Sequence, residues 1–165
     1  MNKLVIRRLL AGMIDYGFIM IYAMILLAFF SGLYFLIQVN PAEVHPLLAQ
    51  GMGFCVLTLP VFFYFFKAES GSHQGTFGKR LMRIKVVSGS IFIRNFLKLL
   101  PWEVGHAGVH WMIFYAEKGQ EVPLWVWVLL ILPQLVMLVY WASIIIYKGK
   151  SSLYDRVANC FFQHS

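Results

Sequence analysis

The chain has 165 residues, of which 60% are hydrophobic and only 13% are charged. A soluble domain carries about 25% charged residues, and one this small cannot bury so much apolar surface in its own core. The net charge of +7 does not indicate nucleic-acid binding, because no basic segment alternates with exposed stacking residues on a soluble module. The composition therefore predicts an integral membrane protein, with a single domain over residues 1–165 surrounded by the lipid bilayer.

The first long apolar run covers residues 9–37 and follows three basic residues. It is too long for a signal peptide, and no small-residue cleavage pattern ends it, so it is predicted to be a retained membrane helix. The second run covers residues 47–66 and contains Pro60. Proline inside a membrane helix predicts a kink and a freed backbone carbonyl that needs another partner.

A polar segment over residues 67–90 follows the second run. Near its end, residues 84–87 alternate in a way that fits a short strand, although a helix also fits. Residues 91–100 then place basic and polar side chains among apolar ones, which predicts an amphipathic helix at the membrane interface. Pro101 is suited to the first turn of a new helix, so a boundary between two helices is predicted there.

Charge decides whether residues 97–116 cross the membrane, because this segment is short and carries several polar side chains. With that crossing, and a last span over residues 124–147, thirteen of the fourteen Lys and Arg lie on one face. Without it the division is ten against four. The positive-inside rule therefore favours four spans, with both termini in the cytoplasm.

These elements together predict an all-α, polytopic fold of four transmembrane helices and an interfacial amphipathic helix. The basic central loop and residues 152–156 of the tail are predicted to dock beneath the bundle or to bind anionic lipid. Cys55 and Cys160 form no CxxC pair, so neither a disulfide nor a zinc site is expected.

Asp15 is the first polar side chain that an apolar helix carries at a high energetic cost. It shares a helix face with Arg8, but about 10 Å of axial rise separates the two, which is too far for a direct salt bridge. Asp15 is therefore expected to need a partner from another helix, whereas Arg8 is expected to reach the lipid headgroups. An ion or proton ligand, a structural pair and a hydrated carboxylate at the interface remain the alternatives for Asp15.

The second polar group is formed by Glu103, His106 and His110, which share one face of the predicted third span. This set gives at most three metal ligands, so no metal site is predicted, and the alternatives are a proton or cation path and a hydrogen-bonded packing face. Asp15 and Glu103 lie at similar distances from helix starts on the same side, which predicts a shared cluster. The candidates for its counter-charge are Lys98, His106 and Arg156.

The pair Gly78-Lys79 suggests a phosphate-binding loop, but His73 and Arg80 stand where that motif requires Gly and Ser or Thr. The same residues belong instead to a wider pattern of three segments. These are RLLAGMID over residues 8–15, TFGKRLMRIKVV over residues 76–87 and SLYDRVA over residues 152–158.

Taken together and in this order, the three segments resemble the RDD family of small membrane proteins, which is named for one arginine and two aspartates. The resemblance assigns these name positions to Arg8, Asp15 and Asp155. Arg7 is an alternative to Arg8, but Arg8 gives the usual seven-residue step to the aspartate. The resemblance also implies structural roles for Thr76, Gly78, Lys79 and Arg156.

The resemblance implies transport in the inner cell membrane, since sodium–proton exchange has been associated with some members of the family. The expected function is thus a small cation/proton transporter, and the titrating set would be Asp15, Glu103, His106 and His110. Four helices enclose little space, so transport predicts a homo-oligomer. The alternative is a non-catalytic interaction or assembly module. An enzyme or a bound cofactor is not expected, because no nucleophile–base pair or complete metal set is present.

Overall fold

The computed structural model describes residues 3–164 and is mostly helical. The helices are α1 (Lys3–Ile37), α2 (Pro46–Gly53), α3 (Leu59–Ser70), α4 (Phe77–Leu81), α5 (Ile91–Glu117), α6 (Leu124–Ile146) and α7 (Leu153–Val157). A π-helical turn over Phe54–Thr58 joins α2 to α3, and a 3-10 turn covers Pro41–Glu43. Two short strands, β1 (Ile84–Val87) and β2 (Phe161–His164), form an antiparallel pair.

Three helices are long and apolar enough to cross a bilayer, namely Lys3–Ile37, Pro46–Ser70 and Leu124–Ile146. Most of the apolar side chains on these helices are not buried inside the protein, so they need lipid around them. The three clearest apolar runs of the sequence are thereby confirmed as helices of spanning length. The first helix begins earlier than the apolar run, at Lys3, so the basic residues that precede the run are helical too.

Three prolines lie inside long helices, namely Pro60, Pro101 and Pro133, and each leaves a carbonyl without its usual N–H partner. For Pro60 and Pro101, a tyrosine from a neighbouring helix satisfies that carbonyl. Pro60 cannot donate to the carbonyl of Val56, and the Tyr22 hydroxyl of α1 donates to that oxygen at 2.6 Å. Pro101 likewise cannot donate to Leu97, whose oxygen accepts from the Tyr140 hydroxyl of α6 at 3.3 Å. The replacement partner predicted for the Pro60 kink is thus confirmed.

We expect Tyr22→Phe to lower the free energy of unfolding by about 1–2 kcal/mol, because it leaves the Val56 carbonyl without a donor in an apolar setting. Thermal unfolding in detergent measures the change. Tyr34→Phe is the matched control, since Tyr34 lies on the same helix and its hydroxyl makes no hydrogen bond within residues 3–164. Equal losses in the two variants would contradict this role of Tyr22.

The helix boundary predicted at Pro101 is wrong, because Ile91–Glu117 is one continuous helix. The amphipathic segment over residues 91–100 is therefore its first turns rather than a separate element. The contact with Tyr140 described above removes the penalty that would otherwise end a helix at proline.

Helix α5 lies antiparallel along α6. Leu97 contacts Tyr140 near one end, and the rings of Trp111 and Trp125 lie 5.2 Å apart towards the other. Between them Gly108 is buried, and a Cβ on it would stand 3.0 Å from the Leu130 side chain. This close approach follows from the absence of a side chain on Gly108, as is common between membrane helices.

The strands lie at one end of the bundle, which we call the base. Val86 of β1 pairs with Phe162 of β2, and both are buried with Leu4 and Ala11 of α1 in one apolar core. The strand alternative for residues 84–87 is confirmed, and the tail docks beneath the bundle as predicted. The all-α description is incomplete, because the tail supplies a second strand that the sequence did not predict.

Candidate functional site

Asp15 is only 2% exposed and accepts hydrogen bonds from three neutral donors. The Gly78 backbone N–H donates to it at 2.9 Å, the Tyr64 hydroxyl at 3.3 Å, and the Thr76 hydroxyl completes the set. These donors come from other elements than α1, as the sequence predicted, and the alternative of a hydrated carboxylate at the interface is wrong. Asp15 therefore fixes α4 and the turn before it against α1.

Arg8 is buried, with 3% of its side chain exposed, and it does not reach the lipid headgroups as predicted. Its guanidinium donates to Asp155 at 2.7 Å and to the Gly149 carbonyl at 3.0 Å. It also lies 3.8 Å from the centroid of the Phe162 ring. The tail that carries these three partners folds over α1, and this covers Arg8.

Asp155 joins the tail to two arginines. Its Oδ2 pairs with Arg8, and its Oδ1 accepts from the Arg94 Nε at 2.7 Å. Ser152 donates to the same carboxylate from both its backbone N–H and its hydroxyl at 2.7 Å, which forms a capping box at the start of α7. Every oxygen of Asp155 is therefore occupied, and the local helix α7 positions it.

Glu69 continues the same network at the end of α3. It is buried and forms ion pairs with Arg94 and Lys79, and the Asn95 amide donates to it at 3.0 Å. Positive and negative side chains thus alternate along one series of ion pairs. We call this set the ionic cluster, and its members are Arg8, Asp155, Arg94, Glu69 and Lys79.

Burial and charge act in opposite directions on the ionic cluster. Burial alone would raise the pKa of Asp155, but the charges of Arg94 and Arg8 outweigh it and hold that pKa below its usual value. For Lys79 burial is the larger effect, and it lowers the pKa of the ammonium despite the nearby Glu69 carboxylate. Each member of the cluster is paired with an opposite charge. The members lie on α1, α3, α4, α5 and the tail, so their ion pairs hold these five parts of the chain together.

Glu103 lies in a different environment, on the part of α5 farther from the base. Its Oε2 accepts from the Thr58 hydroxyl at 2.5 Å, and its Oε1 accepts from the Gln50 amide. No Lys, Arg or His within residues 3–164 forms an ion pair with this carboxylate. Neutral donors therefore hold a carboxylate that has no fixed counter-charge.

Glu103 lines a cavity of about 610 Å³ between α1, α2 and α5, together with His106 and His110. Gln50 also lines it, and the buried Oε1 of Gln50 has no hydrogen-bond partner among residues 3–164. A buried acceptor without a donor is rare, and a water molecule, a proton-bearing group or a cation would satisfy it. The cavity, which we call the Glu103 cavity, thus combines a carboxylate, an amide oxygen and two imidazoles.

The comparison with protein families agrees with the three segments found in the sequence. A model of the RDD family matches residues 4–159, which is nearly the whole chain. The chain belongs to the RDD family. No curated protein and no solved structure matches it. Of the three name positions in this RDD chain, Arg8 and Asp155 form an ion pair, whereas Asp15 binds Thr76 and Gly78 of the second family segment.

The shared cluster predicted for Asp15 and Glu103 is wrong. Asp15 faces α4 at the base, whereas Glu103 faces Gln50 and Thr58. The two carboxylates also lie at different depths, because Asp15 contacts Tyr64 whereas Glu103 contacts Thr58, six residues earlier on the same helical segment. Six helical residues correspond to roughly 9 Å of axial rise.

The three residues predicted to supply the counter-charge also lie in different places. Lys98 lies 3.1 Å from the centroid of the Phe65 ring, and Arg156 lies 4.5 Å from that of Tyr147. His106 alone among the three candidates lines the Glu103 cavity. None of them forms an ion pair with Asp15 or Glu103 in the part of the chain that the structure describes.

Sequence reasoning missed Glu69 and Arg94, which are central in the ionic cluster of this RDD chain. Glu69 falls in the polar segment over residues 67–90, and Arg94 falls in the predicted amphipathic helix over residues 91–100, so neither stands out as a buried charge. One signal was present, because Glu69 is the single acid among seven Lys and Arg between Lys67 and Lys98. A lone carboxylate among so many cations next to an apolar helix is expected to pair with several of them.

Proposed function

We propose that this RDD chain is a small cation/proton transporter of the inner cell membrane, and that Glu103 carries the ion or the proton. The observation that carries the proposal is the Glu103 carboxylate, which faces a cavity without a cationic partner. Ionisable side chains at membrane depth are costly and usually mark ion or proton pathways. The Asp155 and Glu69 carboxylates differ from Glu103 in this respect, since fixed cations neutralise them.

The donor set around Glu103 suits exchange between a proton and a hard cation. A proton on the carboxylate and a cation beside it neutralise the same charge, so binding of one displaces the other. Small cations of this kind prefer oxygen ligands, and the Gln50 Oε1 and the Thr58 hydroxyl supply neutral oxygens beside the carboxylate. His106 and His110 line the same cavity and would relay protons where they are wet.

The proposal includes four spans, with α5 as the third and both termini in the cytoplasm. Helix α5 has 27 residues and is therefore roughly 40 Å long. It lies antiparallel along α6, which is itself of spanning length and apolarity. The polar side chains that make α5 less apolar include Glu103, His106 and His110, and these line the Glu103 cavity rather than requiring contact with lipid.

The proposal also includes a homo-oligomer. The Glu103 cavity extends to Asn40 and Pro41 in the connection between the first two spans, whereas the ionic cluster fills the base. A path across the whole membrane therefore needs a further opening on the side of the base. A symmetric assembly, in which two or more copies move against one another, is a common way to supply one.

Flux in proteoliposomes tests this function. Under an imposed pH gradient, we expect wild-type protein to move sodium or another small cation against protons. Glu103→Gln keeps the size and the Thr58 contact but removes the charge, so the flux should fall by at least about 10²-fold. Glu121→Gln is the matched control, because Glu121 is exposed in the loop after α5 and makes no hydrogen bond among the described residues.

Two outcomes would contradict the proposal in different ways. Wild-type flux in folded Glu103→Gln protein would exclude Glu103 as the carrier. Absence of flux in the wild type, together with a stable partner protein that co-purifies, would favour the interaction or assembly module.

A further inference from the structure

A second and smaller cavity, of about 80 Å³, lies at the base between α1, α5 and α6. This volume exceeds what one water molecule needs, which is about 10–15 Å³ on the same kind of measure. Four basic side chains line it, against a single acidic one, Asp15. The basic ones are Arg8, Lys79, Arg94 and Lys98.

Three of these four cations already have anionic partners, and Lys98 does not. Arg8, Lys79 and Arg94 are paired with Asp155 and Glu69 inside the ionic cluster. The Lys98 ammonium has no carboxylate within 4 Å and no hydrogen-bond acceptor in the described part of the chain. Its one specific contact is with the Phe65 ring, and it is thus a hydrogen-bond donor without a protein acceptor at this cavity.

Tyr16 adds a second donor from the opposite wall. Tyr16 lines the same cavity from α1, and its hydroxyl makes no hydrogen bond within residues 3–164. Asp15 accepts from Thr76, Gly78 and Tyr64, and it forms no hydrogen bond with Lys98 or Tyr16. Two residues on different helices that carry hydrogen-bond donors therefore line one space, and neither donor has an acceptor among the described residues.

The remaining wall is apolar and comes from α1 and α6, with Leu9, Met137, Trp141 and Ile144 as its main members. The Arg8 and Arg94 side chains that line the cavity are held in place by their ion pairs. Few side chains therefore lose conformational freedom when an anion binds. A group with several oxygens and negative charge suits donors that approach from two sides.

We propose that this cavity binds a phosphate group, either in the headgroup of an anionic lipid or as a soluble phosphate. Lys98 and Tyr16 are its donors, and Lys98 is the one basic side chain of the lining that forms no ion pair among the described residues. The site is distinct from the Glu103 cavity, and it does not depend on the proposed transport. It is also more specific than attraction of anionic lipid to the basic loop, because it assigns two named donors on α1 and α5.

The test measures thermal unfolding of the purified full chain in a neutral detergent. In one arm phosphatidylglycerol is added, with diacylglycerol as the phosphate-free lipid. In the other arm inorganic phosphate is added, with chloride at equal ionic strength. We expect a phosphate source to raise the unfolding temperature of the wild type. Lys98→Met removes a charge-assisted hydrogen bond, so it should raise the concentration of the phosphate source at half-saturation about tenfold.

Lys67→Met is the matched control, because Lys67 is an exposed lysine in the last turn of α3, and its removal changes the net charge equally. It should leave the half-saturating concentration unchanged. Tyr16→Phe removes only a hydroxyl and should raise that concentration about threefold. This variant keeps the test decisive if Lys98→Met does not fold.

Each outcome has a definite meaning. A shift with phosphatidylglycerol alone assigns the site to a lipid headgroup, and a shift with inorganic phosphate assigns it to soluble phosphate. The proposal is overturned if neither source shifts the wild type. It is equally overturned if the Lys98 and Tyr16 variants respond as the wild type does, or if Lys67→Met loses as much affinity as Lys98→Met.

Discussion

Asp155→Asn is expected to lower the free energy of unfolding by about 3–5 kcal/mol, which is the range for breaking a buried ion pair by removing one partner. The substitution keeps the size of the side chain. It leaves the buried Arg8 without an anionic partner, although the Gly149 carbonyl still accepts from it, while Arg94 keeps Glu69. Most of the loss therefore comes from the uncompensated charge of Arg8. Thermal or denaturant unfolding in detergent measures the change.

A local readout separates undocking of the tail from general loss of stability. Cys160 is fully buried, and its N–H donates to the Asp155 carbonyl at 2.8 Å. In a Cys55→Ala background, a thiol reagent should label Cys160 faster in Asp155→Asn than in the parent. Glu121→Gln, an exposed neutralisation, should change stability by less than about 0.5 kcal/mol and leave the labelling rate unchanged.

The partner of Asp155 is tested by a double-mutant cycle with Arg8→Met. If the ion pair is responsible, the loss in the double variant should be smaller than the sum of the two single losses, by about 0.5–3 kcal/mol. Additive losses would contradict the pairing.

The pH dependence of stability follows from the lowered pKa of Asp155. A carboxyl whose pKa is lower in the folded state contributes its full stability above its ordinary pKa of about 3.9. That contribution is lost as the pH falls through the lower folded value. Wild-type protein should therefore lose stability below about pH 4, and Asp155→Asn should show a smaller loss over the same window.

Gly78→Ala is the second change with a large expected effect, about 2–3 kcal/mol of destabilisation. Gly78 lies inside α4, where alanine would ordinarily be favoured by about 1 kcal/mol. Here a Cβ would overlap the Ala11 carbonyl oxygen and stand 3.0 Å from the Asp15 Oδ1. The clash is with backbone on one side, so it is relieved only if α4 moves away from α1. That movement would also lengthen the hydrogen bond from the Gly78 N–H to Asp15.

Gly17→Ala is the matched control on α1, since a Cβ there meets nothing within 4 Å. We expect this variant to be as stable as the wild type or slightly more stable, because alanine favours the helix. The unfolding temperatures of the two glycine variants in one detergent give the comparison. Gly78→Ala protein as stable as the Gly17 variant would show that α1 and α4 are not in close contact.

The sequence predicted best the features that depend on local chemistry. Apolar runs of sufficient length form helices in lipid because every backbone group must be satisfied within the segment. That rule identifies the three helices of spanning length without any tertiary information. The freed carbonyl at Pro60 was predictable for the same reason, since proline always lacks the N–H. Its donor, Tyr22, was not, because it comes from another helix.

The prediction at Pro101 failed for a related reason. Proline is tolerated at the start of a helix, and the sequence alone gave no ground for placing it in the middle of one. The hydroxyl of Tyr140, 39 residues further along the chain, satisfies the Leu97 carbonyl and allows α5 to continue. A contact between distant segments thus decided where a helix begins.

The polar residues show most clearly what the sequence determines and what only the tertiary structure decides. The sequence by itself identified this chain as an RDD membrane protein and Asp15 and Glu103 as polar side chains within predicted membrane helices. It also marked Arg8 and Asp155 as positions of the family pattern. Only the tertiary structure decided their partners, because a buried charge is satisfied by whichever groups the fold brings within a few ångströms. It paired Arg8 with the tail, enclosed Asp15 with neutral donors, and left Glu103 without a fixed counter-charge. Hydrophobicity is a property of each segment, whereas charge pairing depends on the distances between segments.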